Sequence, residues 1–204
     1  VIPRGMAHWA AVWEGTDPDA GQIGAARSLA GERGLDIPFS VGSAEAIDAA
    51  DGIYDAVTAV QCFFYFDRER ALPEIARVLK PGGLFAIATM MWLPHEDPYA
   101  ADTEALVLSY NPDWTGHGYR VRTMVGEDWG MPYFAVKETR AWNEPIPFTH
   151  EGWRGRIRAC RGVGAVLPPD GVEAFDRDLE KRMRDWPEPL PILHHMAVTV
   201  FQAI

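Results

Sequence analysis

The chain has 204 residues, a net charge of −10 and 48% apolar residues, enough for one domain with a sizeable core. No lysine or arginine run is present, which argues against nucleic acid and anionic membranes as partners. No apolar run reaches the length of a membrane span, and residues 1–20 lack the basic and apolar regions of a signal peptide. Cys62 and Cys160 have neither metal-ligand nor disulfide spacing, so a reduced, cytoplasmic protein is expected.

Val1-Ile2-Pro3-Arg4-Gly5 reads as the remnant of a cleavable tag, with Met6 as the encoded start; a native chain trimmed at both ends is the alternative. Met6–Trp9 has the residues of a helix end. Ala10–Thr16 is a short apolar run expected to be a buried strand. Asp17-Pro18-Asp19 is a turn and helix start, and Ile23, Ala26, Leu29 and Ala30 follow at helical spacing. Gly34 is expected to close that helix. Ile37–Val41 and Asp55–Val60 read as strands. Arg70–Leu79 reads as a helix with Leu72, Ile75, Ala76 and Leu79 on one face. Pro81-Gly82-Gly83 is its expected stop, and Leu84–Met91 is a continuous apolar strand. Residues 93–131 are rich in Pro, Gly, Asp, Tyr and Trp, and are expected to be a loop or a substrate-covering insertion. Phe134–Trp142 reads as a strand, Thr149–Arg158 as a short helix capped by Thr149, Val172–Trp186 as a charged amphipathic helix, and His195–Ala203 as a final alternating strand. Strands alternating with helices predict a parallel sheet covered on both faces.

Tyr54–Trp92 therefore runs strand, loop, helix, glycine turn, strand. Its wording, above all Ala76-Arg77-Val78-Leu79-Lys80-Pro81-Gly82-Gly83, resembles class I S-adenosylmethionine (SAM)-dependent methyltransferases. The resemblance implies an α/β, Rossmann-like, mostly parallel sheet with helices on both faces, an antiparallel last strand and an incomplete N-terminus. It implies a single domain over residues 6–204, SAM as cofactor, and methyl transfer to a small-molecule acceptor. Gly15-Thr16-Asp17-Pro18-Asp19 is similar to the family's second strand and following helix, which puts Asp17 on the ribose; a purely helix-capping Asp17 is the alternative. Ser43 stands where the family usually has an aspartate for the adenine amino group, and Ala44 would offer its amide to the ring. Gln61 and Tyr65 would face the methionine end, with Phe63 and Phe66 as core. No histidine pair stands near Phe64 and Tyr65, so the catalytic residue is unknown, with Tyr65, His95 and His117 as weak candidates.

Ser109–Gly116 and Phe148–Arg156 resemble a bacterial subgroup of small-molecule methyltransferases. That resemblance makes Tyr110, Trp114, Trp153 and Arg154 candidates for substrate binding. Arg154 and Arg156 could pair with a substrate carboxylate, or equally with the acidic 170–181 helix. The histidines lack ligand spacing, so no metal is expected. The family's glycine-rich first loop has no counterpart upstream of Asp17. Its absence leaves two readings: a chain begun internally, or natural loss of the loop. A truncated or degenerate fold that binds no cofactor and serves as a partner is thus the alternative function; a nicotinamide oxidoreductase would also need the missing loop. The strands ending at Asp17 and Val60 are then expected to pair directly, to rearrange, or to accept another chain, as a homodimer or by strand exchange.

Overall fold

The computed structural model describes residues 2–9, 12–118 and 132–204. In chain order the elements are α1 (Ile2–Met6), β1 (Gly15–Asp17), α2 (Ala20–Gly31), β2 (Phe39–Val41), β3 (Tyr54–Val60), α3 (Arg68–Val78), β4 (Leu79–Trp92), α4 (Pro98–Tyr110), β5 (Phe134–Phe148), α5 (His150–Arg158), α6 (Pro169–Arg182) and β6 (Leu190–Ala203). β1 and β2 form a two-stranded parallel sheet, and the other four strands lie in the order β3-β4-β6-β5. β3 and β4 are parallel. β6 runs antiparallel to β4, because partners descend from Gln202 opposite Gly82 to Leu193 opposite Leu93. It also runs antiparallel to β5, where Thr199 faces Thr139 and His195 faces Asn143.

The sheet is therefore mixed, and not the mostly parallel sheet expected. The physical reason is that β6 inserts between β4 and β5 and reverses direction against both. No ladder joins β1 to β3 among the described residues, so the expected direct pairing is not found. The expected Ala10–Thr16 strand shortens to three residues ending at Asp17. Val12 is 95% exposed and finds no sheet to enter; Ala10 lies outside the described residues.

Three further differences have local causes. α3 ends at Val78, and Lys80-Pro81-Gly82-Gly83 lies within β4 instead of stopping a helix. The register steps from Tyr54 opposite Leu79 to Ala56 opposite Leu84, so this run bulges out of the ladder. Gly82 supplies the positive φ of 72° that the bulge needs. Residues 98–110 of the expected loop are instead α4. Asp97 caps it through the Ala100 amide, Pro98 occupies the first turn, and Ala100, Thr103, Leu106 and Val107 share its buried side. The final strand begins at Leu190, five residues before the expected start.

The chain divides into two compact units. The first comprises Val1–Ala88, Val125–Thr139 and Thr199–Ile204. Its main core joins Ile75 and Leu72 of α3 to Phe63, Phe85, Phe134 and Phe201; a smaller cluster holds Ile23, Ala30 and Phe39. The second unit comprises Thr89–Met124 and Arg140–Val198. Its core joins Leu106 and Val107 of α4, Trp153 and Ile157 of α5, Phe175 and Leu179 of α6, and Leu190 and Ile192 of β6. Each core keeps apolar side chains together at roughly 25 cal/mol per Å² removed from water.

Candidate functional site

In the first unit, the C-terminal strand ends carry the residues that the sequence singled out. Asp17 is the last residue of β1 and pairs with Val41, the last of β2. Its backbone carbonyl accepts from the Gly42 amide at 3.2 Å, which ties the two strand ends together. Its Oδ1 accepts from the Asp19 amide at 2.9 Å, the turn role that proline at position 18 invites. The helix cap falls instead to Asp19, whose Oδ1 accepts from Gln22 at 2.7 Å. The other carboxylate oxygen of Asp17 has no partner among the described residues. Ser43 follows β2 and bridges to Ala46, while Ala44 packs on the core. Burial opposes ionisation of Glu45, but the Asp67 amide, its own amide, the Ser43 hydroxyl and Arg70 together hold its carboxyl below the ordinary range. Glu45 therefore fixes the loop after β2 against the start of α3, with Asp67 at 2.9 Å.

At the end of β3, Gln61 adopts a φ of 63°, a left-handed conformation that a side chain disfavours. Its amide donates to Ala88 of β4 at 3.0 Å. The turn aims the following residues away from the strand: Phe63 is buried, whereas Phe64 and Tyr65 are 42% and 62% exposed. Burial pushes the Cys62 thiol up, and the nearby Asp17 carboxylate adds to the shift. Asp17 closes β1 and Gln61-Cys62 follows β3, so both lie at C-terminal strand ends. Ligands of open α/β sheets bind at such strand ends. Cys62 is the residue that sequence reasoning did not single out; the electrostatic reach of Asp17 to its thiol is a tertiary effect with no local signal.

The second unit holds the other candidates. The Tyr110 hydroxyl donates to Asp178 at 2.8 Å. Trp114 and Trp92 each donate an indole N–H to Glu104 at 2.6 Å. Glu104 is only 4% exposed, and the two indoles satisfy the oxygens that burial removes from water. Trp153 is fully buried and donates to Thr103 at 3.1 Å. Arg154 pairs with Asp176 and reaches Glu180 at 2.6 Å. Arg158 binds the same Asp176 at 2.6 Å and Glu151 at 2.5 Å. His95 is exposed, and the His117 ring nitrogen meets the Trp114 carbonyl at 2.6 Å. Part of the expected covering insertion, residues 119–131, lies outside the described residues. Among the described residues no group of three or more His, Cys, Asp or Glu could hold a metal, and no helix is long and apolar enough to cross a membrane. Glu104 was missed in the sequence; its signal was one acidic residue on the apolar side of an unrecognised helix.

A methyltransferase domain family matches residues 3–87. An uncharacterized methyltransferase of Schizosaccharomyces pombe is 53% identical over 47 residues, 23% of this chain and 19% of that protein. A demethylmenaquinone methyltransferase of Thermus thermophilus is 40% identical over 74 residues, 36% of this chain and 34% of that protein. The chain thus spans about a fifth to a third of the length of these relatives. Among solved structures, the YcgJ protein of Bacillus subtilis superposes with a TM-score of 0.51 at 22% identity, covering 94% of this chain and 81% of that one. The [4+2]-cyclase SpnF gives 0.54 at 21% identity, with 97% and 69% coverage. Geranyl diphosphate C-methyltransferase of Streptomyces coelicolor, solved with S-adenosyl-L-homocysteine, gives 0.52 at 14% identity, with 100% and 68% coverage.

Proposed function

For a chain with the class I SAM-dependent methyltransferase-like fold, we propose methyl transfer from SAM to a small-molecule acceptor. The observation that carries this reading is Asp17 at the C-terminal end of β1, where one carboxylate oxygen has no partner among the described residues. Fold alone does not decide chemistry, and a cyclase shares this one. The residues fit the cofactor in kind: Asp17 would accept from the ribose hydroxyls, Ser43 and the Ala44 amide would meet the adenine edge, and Gln61 and Tyr65 would border the methionine end. Bound SAM supplies a sulfonium methyl open to in-line displacement. The chain's own part is to orient the reactants and exclude water. The Tyr65 ring is 62% exposed and would meet a cationic centre through its face. The polar atoms of Tyr110, Trp114, Trp153 and Arg154 have internal partners, so these residues support the second unit's own structure.

Calorimetric titration with S-adenosylhomocysteine tests the reading. Saturable binding that Asp17→Ala weakens by at least about tenfold, ~1.4 kcal/mol, is expected. Heat no different from buffer dilution at millimolar ligand would overturn it.

A further inference from the structure

α5 carries three arginines at alternate positions, and the structure treats them differently. Arg154 and Arg158 are four residues apart, so they lie about 40° apart around the helix. Both reach Asp176 of α6. Arg156 is about 200° around from Arg154 and turns away from that acidic partner. Its guanidinium lies 5.1 Å from the centre of the Trp92 ring. It is half-buried, forms no ion pair among the described residues, and its Nε is buried without a hydrogen-bond partner. A cation held partly out of water with no counter-ion is costly, and stacking on an indole returns only part of that cost.

A second unsatisfied group lies close by. His194 of β6 is fully buried, and its Nδ1 faces the Ile192 carbonyl at 2.8 Å. Its Nε2 is buried without a partner. The ring stacks on Phe148 at 5.7 Å and meets Trp153 edge-on at 6.3 Å; Trp153 in turn packs edge-on against Trp92 at 5.6 Å. Burial chiefly, and the charge of Arg156 in addition, hold the His194 imidazole below its ordinary range, so Arg156 lies within electrostatic reach of it. Among the described residues of the second unit, a cation without an anion therefore lies beside aromatic side chains and a buried, unpartnered imidazole nitrogen.

We propose that Arg156 and the rim of Trp92 form a binding site for an organic carboxylate with a flat apolar body. Arginine presents a planar fork that matches a carboxylate in two-point contact, and the rim of the half-buried Trp92, whose face the guanidinium covers, gives the flat body apolar surface beside it. Identifying this ligand with the methyl acceptor rests on the function proposed above; its binding to the second unit does not.

The test uses the full chain without SAM, so its failure is separate from failure of the cofactor titration. 4-Hydroxybenzoate, its neutral analogue 4-hydroxybenzamide and inorganic phosphate are each titrated while tryptophan emission is followed. The benzoate is expected to saturate, the amide and phosphate to bind at least about tenfold more weakly, and Arg156→Gln to remove the difference between acid and amide. Arg156→Lys should recover only part of it, because lysine lacks the fork, and Arg177→Gln, at an exposed position, should change nothing. In the unmodified chain, the imidazole nitrogen resonances of His194 should move with the benzoate and not with the amide, a readout independent of how the variants fold. Equal response to acid and amide, equal binding of phosphate, or an unmoved His194 signal at saturation would overturn the proposal.

Discussion

At the strand ends of the first unit, Asp17 and Gln61 lie half-buried on short turns, and one oxygen of Asp17 has no partner among the described residues. At the α5–α6 corner of the second unit, Arg154, Arg158, Asp176, Glu180 and Glu151 close on one another. The contrast follows from backbone geometry. Residues on a regular helix repeat can be matched pairwise by a neighbouring helix, because both present side chains at fixed spacing. Residues at strand ends sit where the repeat stops, and the chain has fewer groups to offer them. Unpartnered polar atoms therefore carry more functional information than the abundance of charge does. Arg156 is informative in the second unit because it breaks that unit's own pattern of pairing.

The largest expected effect lies in the second unit's core. Trp153→Ala should cost about 3–5 kcal/mol in denaturant unfolding, through the lost indole and the cavity left behind. A loss below about 1 kcal/mol would mean that Trp153 is not structural, and would restore it as a substrate contact. Asp176→Ala comes next. It removes the carboxylate that Arg154 and Arg158 share while both keep a glutamate partner, and with the site's partial exposure this lowers the usual penalty for breaking a buried pair to about 2 kcal/mol. Thermal melts at low and high salt would check this, with the gap between wild type and variant narrowing as salt screens the network.

The first unit has its own closed ion pair. The Arg77 guanidinium and the Ile47 amide hold the Glu74 carboxyl down at about 2, against an ordinary 4.5. Arg77 also reaches the Ile47 and Ala49 carbonyls at 2.9 and 2.7 Å, pinning that loop to α3. A depressed carboxyl stabilises the fold fully above its unfolded value and ceases to do so as pH falls through the folded one. Stability should therefore decline between about pH 4.5 and 2, and Glu74→Gln should flatten that part of an acid-unfolding curve. The smallest effect is expected at Tyr54, whose hydroxyl donates to Glu14 at 2.7 Å. That bond, with burial and the Glu14 charge, raises the phenol to about 12 from 10. The contribution is complete below pH 10 and lost as pH rises towards 12. Tyr54→Phe should cost under about 1 kcal/mol at neutral pH and erase the alkaline decline. An unchanged alkaline curve would count against the contact.

The two units also differed in how much their sequences revealed. The first was legible as motif: Leu84–Ala88 as the start of an apolar run, Asp55–Val60 as a strand, and Asp17 at a strand end. Its misreadings were local. Lys80–Gly83 carries the residues of a helix stop, yet the register needs a bulge there. The second unit was less legible. Asp97-Pro98 announces a helix start, but the Pro- and Trp-rich surroundings of α4 read as loop. The direction of β6, and with it the mixed sheet, depends on pairings about a hundred residues apart, such as Leu193 with Leu93. Thr149 as helix cap was readable because capping is local, and Gly152 donates to its hydroxyl at 3.0 Å. The separate fates of Arg154 and Arg156 were not readable, since alternate positions on a helix diverge only once α6 is docked.

The most direct measurement is hydrogen–deuterium exchange of the full chain with and without saturating S-adenosylhomocysteine. Slowed exchange at Asp17–Asp19, Gly42–Glu45 and Gln61–Tyr65 is expected, with little change in α5. Protection confined to the second unit, or none at saturation, would contradict the assignment of the cofactor to the strand ends of the first.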